Sequence, residues 1–181
     1  MLRLQLPIST LSSRYDDMRH NPRGFTIVEL LVVIVTIAIL ASITIVAYNG
    51  VQNRANDAVV QSDLRHTYDK LQIYQIDNLG SYPLTTDTTT LQSTFVATKG
   101  SYNTSVNAYI YCRSNTAAAV MAASKSKTGY FYSSVSGQGT VAAATWGTGA
   151  NATLCPLAGI QTSDAGYSFY WFYTTASGWT W

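Results

Sequence analysis

Apolar residues run almost unbroken from Phe25 to Ala47, and Glu29 is the single ionisable side chain in those 23 positions. As a helix the run would be roughly 34 Å long, enough to cross a hydrocarbon core. Thr26, Thr36, Ser42 and Thr44 fit such a helix, because their hydroxyls can bond to the preceding turn. Past Gly50 the pattern becomes periodic. Val60, Leu64, Thr67 or Tyr68, Leu71 and Tyr74 recur at spacings of three and four, which marks one apolar helix face. Asp57, Asp63, Arg65, Asp69 and Lys70 mostly take the other side. Gly80 is placed as the C′ stop, with Pro83 just beyond. The pattern predicts one helix over 25–79, roughly 80 Å long.

The rest of the chain reads as a β-rich head. Residues 80–105 are polar and turn-rich, with a short helix expected around Leu91 to Val96. Strand signals begin at 106–114 (VNAYIYCRS), which is aromatic and β-branched. Residues 117–137 read as two strands about a Lys125–Gly129 turn. The stretch 137–154 is rich in small residues and reads as loop. The closing segment alternates Tyr167, Phe169, Trp171 and Tyr173, a face expected to cover the helix. The expected fold is α+β: a long N-terminal helix packed on an antiparallel sheet of three or four strands.

Charge adds an orientation. Arg3, Arg14, Arg19 and Arg23 precede the apolar run, against Asp16 and Asp17, while the remaining acidic and basic side chains balance in a chain of net charge +2. The positive-inside rule then puts the N-terminus in the cytoplasm and the head outside. A secretory signal peptide would have a shorter apolar core and a small-residue cleavage site. A plain membrane anchor fits the length but leaves Glu29 unexplained, since a carboxylate at the centre of a bilayer costs at least ~2.5–3.5 kcal/mol and somewhat less near an end. Cys112 and Cys155 both follow the run. An even count in a translocated domain favours one disulfide, with two unpaired thiols as the other reading.

The residues RGFTIVELLVVIVTIAILASI, from Arg23, resemble the class III signal sequence of type IV prepilins and pseudopilins. In that family a dedicated aspartyl peptidase on the cytoplasmic face cuts after a glycine, and the new N-terminal residue is methylated. By resemblance Gly24 precedes the cut, Phe25 is the methylated N-terminus and Glu29 is the family's glutamate, which neutralises a neighbouring subunit's ammonium and sets the assembly register. The implied domains are a removed leader over 1–24, a transmembrane and filament-core helix over 25–48, its soluble continuation over 49–80 and a head over 81–181. The implied partners are sister subunits in a homo-oligomeric helical filament, other pilins, the prepilin peptidase/methyltransferase, and an assembly platform protein with its ATPase. The implied location is the cytoplasmic membrane as precursor, single-pass, and then the cell surface. The resemblance departs at Val46, in a neighbourhood where many major pilins carry proline; here Gly50 is the nearest weak point. Two rival readings remain. One is a minor pilin or type II secretion pseudopilin. The other is a membrane-anchored adhesin or receptor that never polymerises.

Other chemistry is sparse. Trp179 and Trp181 are possible ligand-facing aromatics at the end of the chain. Lys125 and Lys127 read as a solvated hairpin tip rather than a phosphate or DNA contact. His66, near Asp63 and Asp69, lies on the exposed side of the helix and belongs to no catalytic set. Asp164 is the single carboxylate of the C-terminal loops, too few for calcium, and neither a Cys/His cluster nor a phosphate loop stands out. Asn103 and Asn151 match the N-glycosylation pattern, which carries little weight in a bacterial compartment. The sequence gives no reason to expect enzymatic activity, a cofactor, a metal or specific nucleic-acid binding.

Overall fold

The computed structural model describes residues 24–148 and 151–180. The chain divides into two compact units, the first ending at Ile43 and the second running from Thr44 to Trp181. One helix, α1, covers Ile27–Asp77 and belongs to both. Gly50 does not interrupt it: with no proline to remove a donor, a glycine costs only about 1 kcal/mol.

From Ile27 the described part of the first unit is helix with its apolar side chains exposed. Leu31, Val33, Ile37 and Leu40 are each more than half exposed. This is the signature of a helix whose solvent is not water. It is also the described helix whose length and hydropathy suffice for a membrane crossing.

The second unit is built on the remainder of α1. Val60, Leu64, Thr67 and Leu71 are buried, as the periodicity requires. The expected end at Gly80 comes early: α1 stops at Asp77, and the Gly80 N–H donates to the Gln75 carbonyl at 2.8 Å. That is the long bond of a Schellman ending, and it puts the C′ position on Leu79, at φ 55°, rather than on Gly80. A short helix, α2 (Thr88–Thr94), follows, its first turn capped by the Asp87 carboxylate.

The sheet has six strands, not three or four. They are β1 (Tyr109–Arg113), β2 (Ala118–Ala123), β3 (Gly129–Ser133), β4 (Gly137–Val141), β5 (Ser168–Thr174) and β6 (Gly178–Trp179). The order is β4-β3-β2-β1-β5-β6, with every neighbouring pair antiparallel. β1 to β4 form a meander. The chain then passes through two short helices, α3 (Ala143–Thr148) and α4 (Asn151–Leu157), before β5 returns to the free edge of β1.

Both faces of this sheet are covered, so every residue of β1 and β2 is buried. On the α1 side, Tyr109, Tyr111, Val120 and Phe172 pack with Val60, Leu64, Leu71, Leu91 and Phe95. On the other side, Ile110, Cys112, Met121 and Phe131 pack with Trp146, Leu154, Cys155 and Ile160.

The stretch 137–154 is therefore not a loop: it holds β4, α3 and α4. Aromatic rings cover Gly139 of β4 and Gly129 of β3. A Cβ on Gly139 would lie 2.5 Å from the Phe131 ring, and one on Gly129 would lie 2.6 Å from Trp146. An aromatic laid across a strand glycine supplies the packing the glycine lacks. The face assigned to β5 is also corrected. Tyr170 and Phe172 join the α1-side core along with Tyr173. Tyr167 and Trp171 pack on the far side, and Phe169 is exposed.

Candidate functional site

Gly24, Phe25 and Thr26 precede the first turn of α1 in non-helical conformation. A Cβ on Gly24 would touch nothing within 4 Å, and Phe25 is 85% exposed. The Gly24–Phe25 bond thus lies outside the helix and open to its surroundings. Thr26 and Glu29 close the helix end against each other. The Glu29 N–H donates to the Thr26 hydroxyl oxygen at 3.2 Å. The Thr26 N–H and hydroxyl both donate to Glu29 Oε2, each at 2.9 Å. This is a capping box, and it satisfies orphan donors of the first turn reciprocally. The spacing T-x-x-E ahead of an apolar run is its sequence signal, which the sequence reading passed over.

The box changes what Glu29 can do. Its carboxylate is held at the helix N-terminus, where the dipole favours negative charge. It sits one turn from Phe25, whose nitrogen becomes an ammonium if the Gly24–Phe25 bond is cut. Further along, the Thr36 hydroxyl donates to the Val33 carbonyl at 2.8 Å and the Ser42 hydroxyl to the Ile39 carbonyl at 2.7 Å. These polar groups are satisfied within the helix and can lie in an apolar medium.

Within the second unit, α1 holds the head through Thr67, on the face expected, and through Asp63, which was not expected there. Asp63 is buried, not on the outer face. Its carboxylate accepts the Thr98 N–H at 2.6 Å, the Thr98 hydroxyl at 3.3 Å and the Tyr102 hydroxyl at 3.0 Å. Thr67 accepts from the Val96 N–H at 3.1 Å and from the Tyr109 hydroxyl at 2.9 Å. Burial first of all, then the neighbouring tyrosine and the Asp63 charge, drives the Tyr102 hydroxyl far above its usual pKa, so it stays a donor. Ser126, at the β2–β3 hairpin tip, donates to Asp57.

The remaining sequence candidates disperse. Cys112 and Cys155 form a disulfide with Cα atoms 5.7 Å apart, tying β1 to α4. Trp179 is half-buried in the α1-side core, edge-on to Tyr102 with centroids 5.3 Å apart and with the Lys99 ammonium 5.5 Å above its ring. Trp181 and the leader residues Arg3, Arg14, Arg19 and Arg23 lie outside the described residues. His66 is exposed, as are Lys125 and Lys127 on their hairpin. The Asp164 carboxylate accepts the Gln161 N–H at 2.8 Å and closes a turn.

A long apolar N-terminal helix with an acidic first turn, followed by an α+β head, is a pilin-like architecture. The comparisons agree. The family described as the prokaryotic N-terminal methylation motif matches residues 19–47. The chain is 46% identical over 59 residues to the type IV wide pilus major component PilA4 of Thermus thermophilus, which covers 33% of this chain and 45% of that protein. It is 39% identical over 67 residues to the type II secretion system core protein G of Klebsiella michiganensis, covering 37% of this chain and 46% of the relative. Core protein G of Dickeya chrysanthemi is 35% identical over 68 residues, 38% of this chain and 44% of the relative. The chain thus spans less than half the length of each of these relatives. No solved structure matches it significantly.

Proposed function

We propose that the chain is a structural, non-enzymatic subunit of a type IV pilus-like filament. It is inserted in the cytoplasmic membrane as a precursor, cut after Gly24, methylated at Phe25 and assembled with sister subunits through the apolar half of α1. The observation that carries the reading is the register of Gly24, Phe25 and Glu29 against an exposed apolar helix, within the matched methylation motif. An ammonium left at Phe25 is costly in an apolar core unless a carboxylate meets it, and a Glu29 one turn away supplies that charge to a neighbour in one axial register. The peptidase/methyltransferase and the assembly platform with its ATPase follow as partners. The similarity to core protein G supports a second reading, a pseudopilus subunit, in which the assembly is short and serves secretion. The amount of the chain in material sheared from cells separates the two, since a major pilus subunit dominates it.

The test is the N-terminal sequence and intact mass of the chain from native cells. A chain beginning at N-methylated Phe25, two hydrogens lighter than its reduced form, is the expected result. A chain that keeps Met1 to Gly24 and stays in membranes would leave the anchored receptor as the reading.

A further inference from the structure

Outside the N-terminal segment, the second unit contains a cleft between α1 and the edge strand β4. Its volume is about 160 Å3. It is lined by Gln61 of α1, by Tyr130, Phe131 and Tyr132 of β3, and by Gln138, Gly139 and Thr140 of β4. None of the described residues that line it carries a formal charge. The Tyr132 hydroxyl and the Gln138 carboxamide make no hydrogen bond to the described residues, so both are available to a ligand. Tyr132 is held from behind by Tyr68, with ring centroids 6.1 Å apart. Burial first, and then the neighbouring Asp57 carboxylate, raise the Tyr130 hydroxyl above its usual pKa, so it stays protonated.

We propose that this cleft binds one neutral hexopyranose ring, as the terminal sugar of a glycan. The chemistry selects the class. Phosphate, sulfate and acidic sugars need a cation, and the lining offers none. A purely apolar ligand would strip water from two carboxamides and a threonine hydroxyl without replacing it. A neutral pyranose presents C–H bonds on one face, which suit a tyrosine ring. It presents hydroxyls around its rim, which suit carboxamides that both donate and accept. The volume falls below the roughly 300 Å3 at which drug-sized sites begin, so the cleft takes a single ring rather than an oligosaccharide. One ring in a shallow cleft binds with a millimolar Kd. Repetition of the site along an assembly would raise avidity without new contacts, a consequence that rests on the filament reading.

Saturation-transfer NMR on the full chain in dodecylphosphocholine micelles, a detergent without sugar, tests the binding alone. The probes are the methyl β-glycosides of glucose, galactose and N-acetylglucosamine. Transfer to the ring protons of at least one glycoside is expected, falling about fivefold on Gln138→Ala through loss of one hydrogen bond. It should also fall on Tyr132→Ala, while Trp179→Ala leaves it unchanged. Gln138 is exposed on the edge strand, so its variant should melt like the wild type and keep the test valid even if Tyr132→Ala unfolds. No transfer to any of the three glycosides, or transfer unaltered by Gln138→Ala, overturns the proposal. Neither result touches the assembly reading, which rests on the N-terminus of the processed chain.

Discussion

Asp63 shows how a residue can break a pattern and still follow its physics. A carboxylate on the core side of a helix is destabilising unless donors converge on it, and here the Thr98 N–H, the Thr98 hydroxyl and the Tyr102 hydroxyl do so. Asp63→Ala strands the buried Tyr102 hydroxyl, and should cost about 1–3 kcal/mol in a urea melt of the second unit. Leu79 is the opposite case, a side chain 99% exposed on a left-handed backbone. Leu79→Asn should raise stability by about 0.5–1 kcal/mol, because asparagine accepts that conformation and no packing is lost. Asp87 carries a pH dependence. Hydrogen bonds from the Thr90 side chain and then its backbone N–H hold the Asp87 carboxyl below the usual carboxylate range. Its cap on α2 is therefore complete above the unfolded carboxyl pKa and lost as pH falls through the lower folded value. An NMR titration should show the Thr90 amide shifting in that acid window, and Asp87→Asn should abolish the shift.

Elements were legible where one cause dominated. The three-and-four spacing of Val60, Leu64, Thr67 and Leu71 located the buried face of α1, and the aromatic and β-branched run at 106–114 located β1. Elements made by partners at a distance were not legible. Gly137–Gly139 has little strand propensity of its own, and only Thr140 and Val141 favour a strand; the segment is one because β3 pairs with it and Phe131 covers Gly139. The same holds for β5, where aromatics occupy every position from Phe169 to Tyr173 and both faces are covered, so alternation could not choose a face. The Thr26–Glu29 box, by contrast, was written in the local spacing and needed no partner elsewhere. If Phe131 is what makes β4, adding a methyl under its ring should undo it. Gly139→Ala should cost about 1–3 kcal/mol, with β4 amides losing hydrogen-exchange protection before those of β1 and β2.

At the scale of the molecule, the division near Ile43 separates two kinds of energetics. The second unit owes its stability to a two-faced sheet and to a disulfide that closes 43 residues. The described part of the first buries nothing within a single chain, and under the proposed filament reading other copies or lipid cover its apolar surface. Variants should therefore dissociate the two properties. Removing the bridge with Cys112→Ser and Cys155→Ser takes away about 3–4 kcal/mol of unfolded-state constraint. In a domain of this size that lowers the Tm of the full chain in detergent by roughly 10 °C. The leader should still be cut at Gly24 at the wild-type rate, since the cleavage segment lies in the other unit. Glu29→Val should do the reverse. The Tm of the second unit stays within about 1 °C, because a substitution away from its core has almost no effect there. Cleavage proceeds, and the yield of sheared filament collapses because the Phe25 ammonium has no carboxylate to meet. A Glu29→Val chain that assembles normally would overturn the register argument. Glu29→Val also removes the carboxylate's half of the capping box, and Thr26→Ala separates the two roles: it removes the cap hydroxyl while leaving the carboxylate in place, so Thr26→Ala should still assemble, and its failure alongside Glu29→Val would assign the residue's role to the cap.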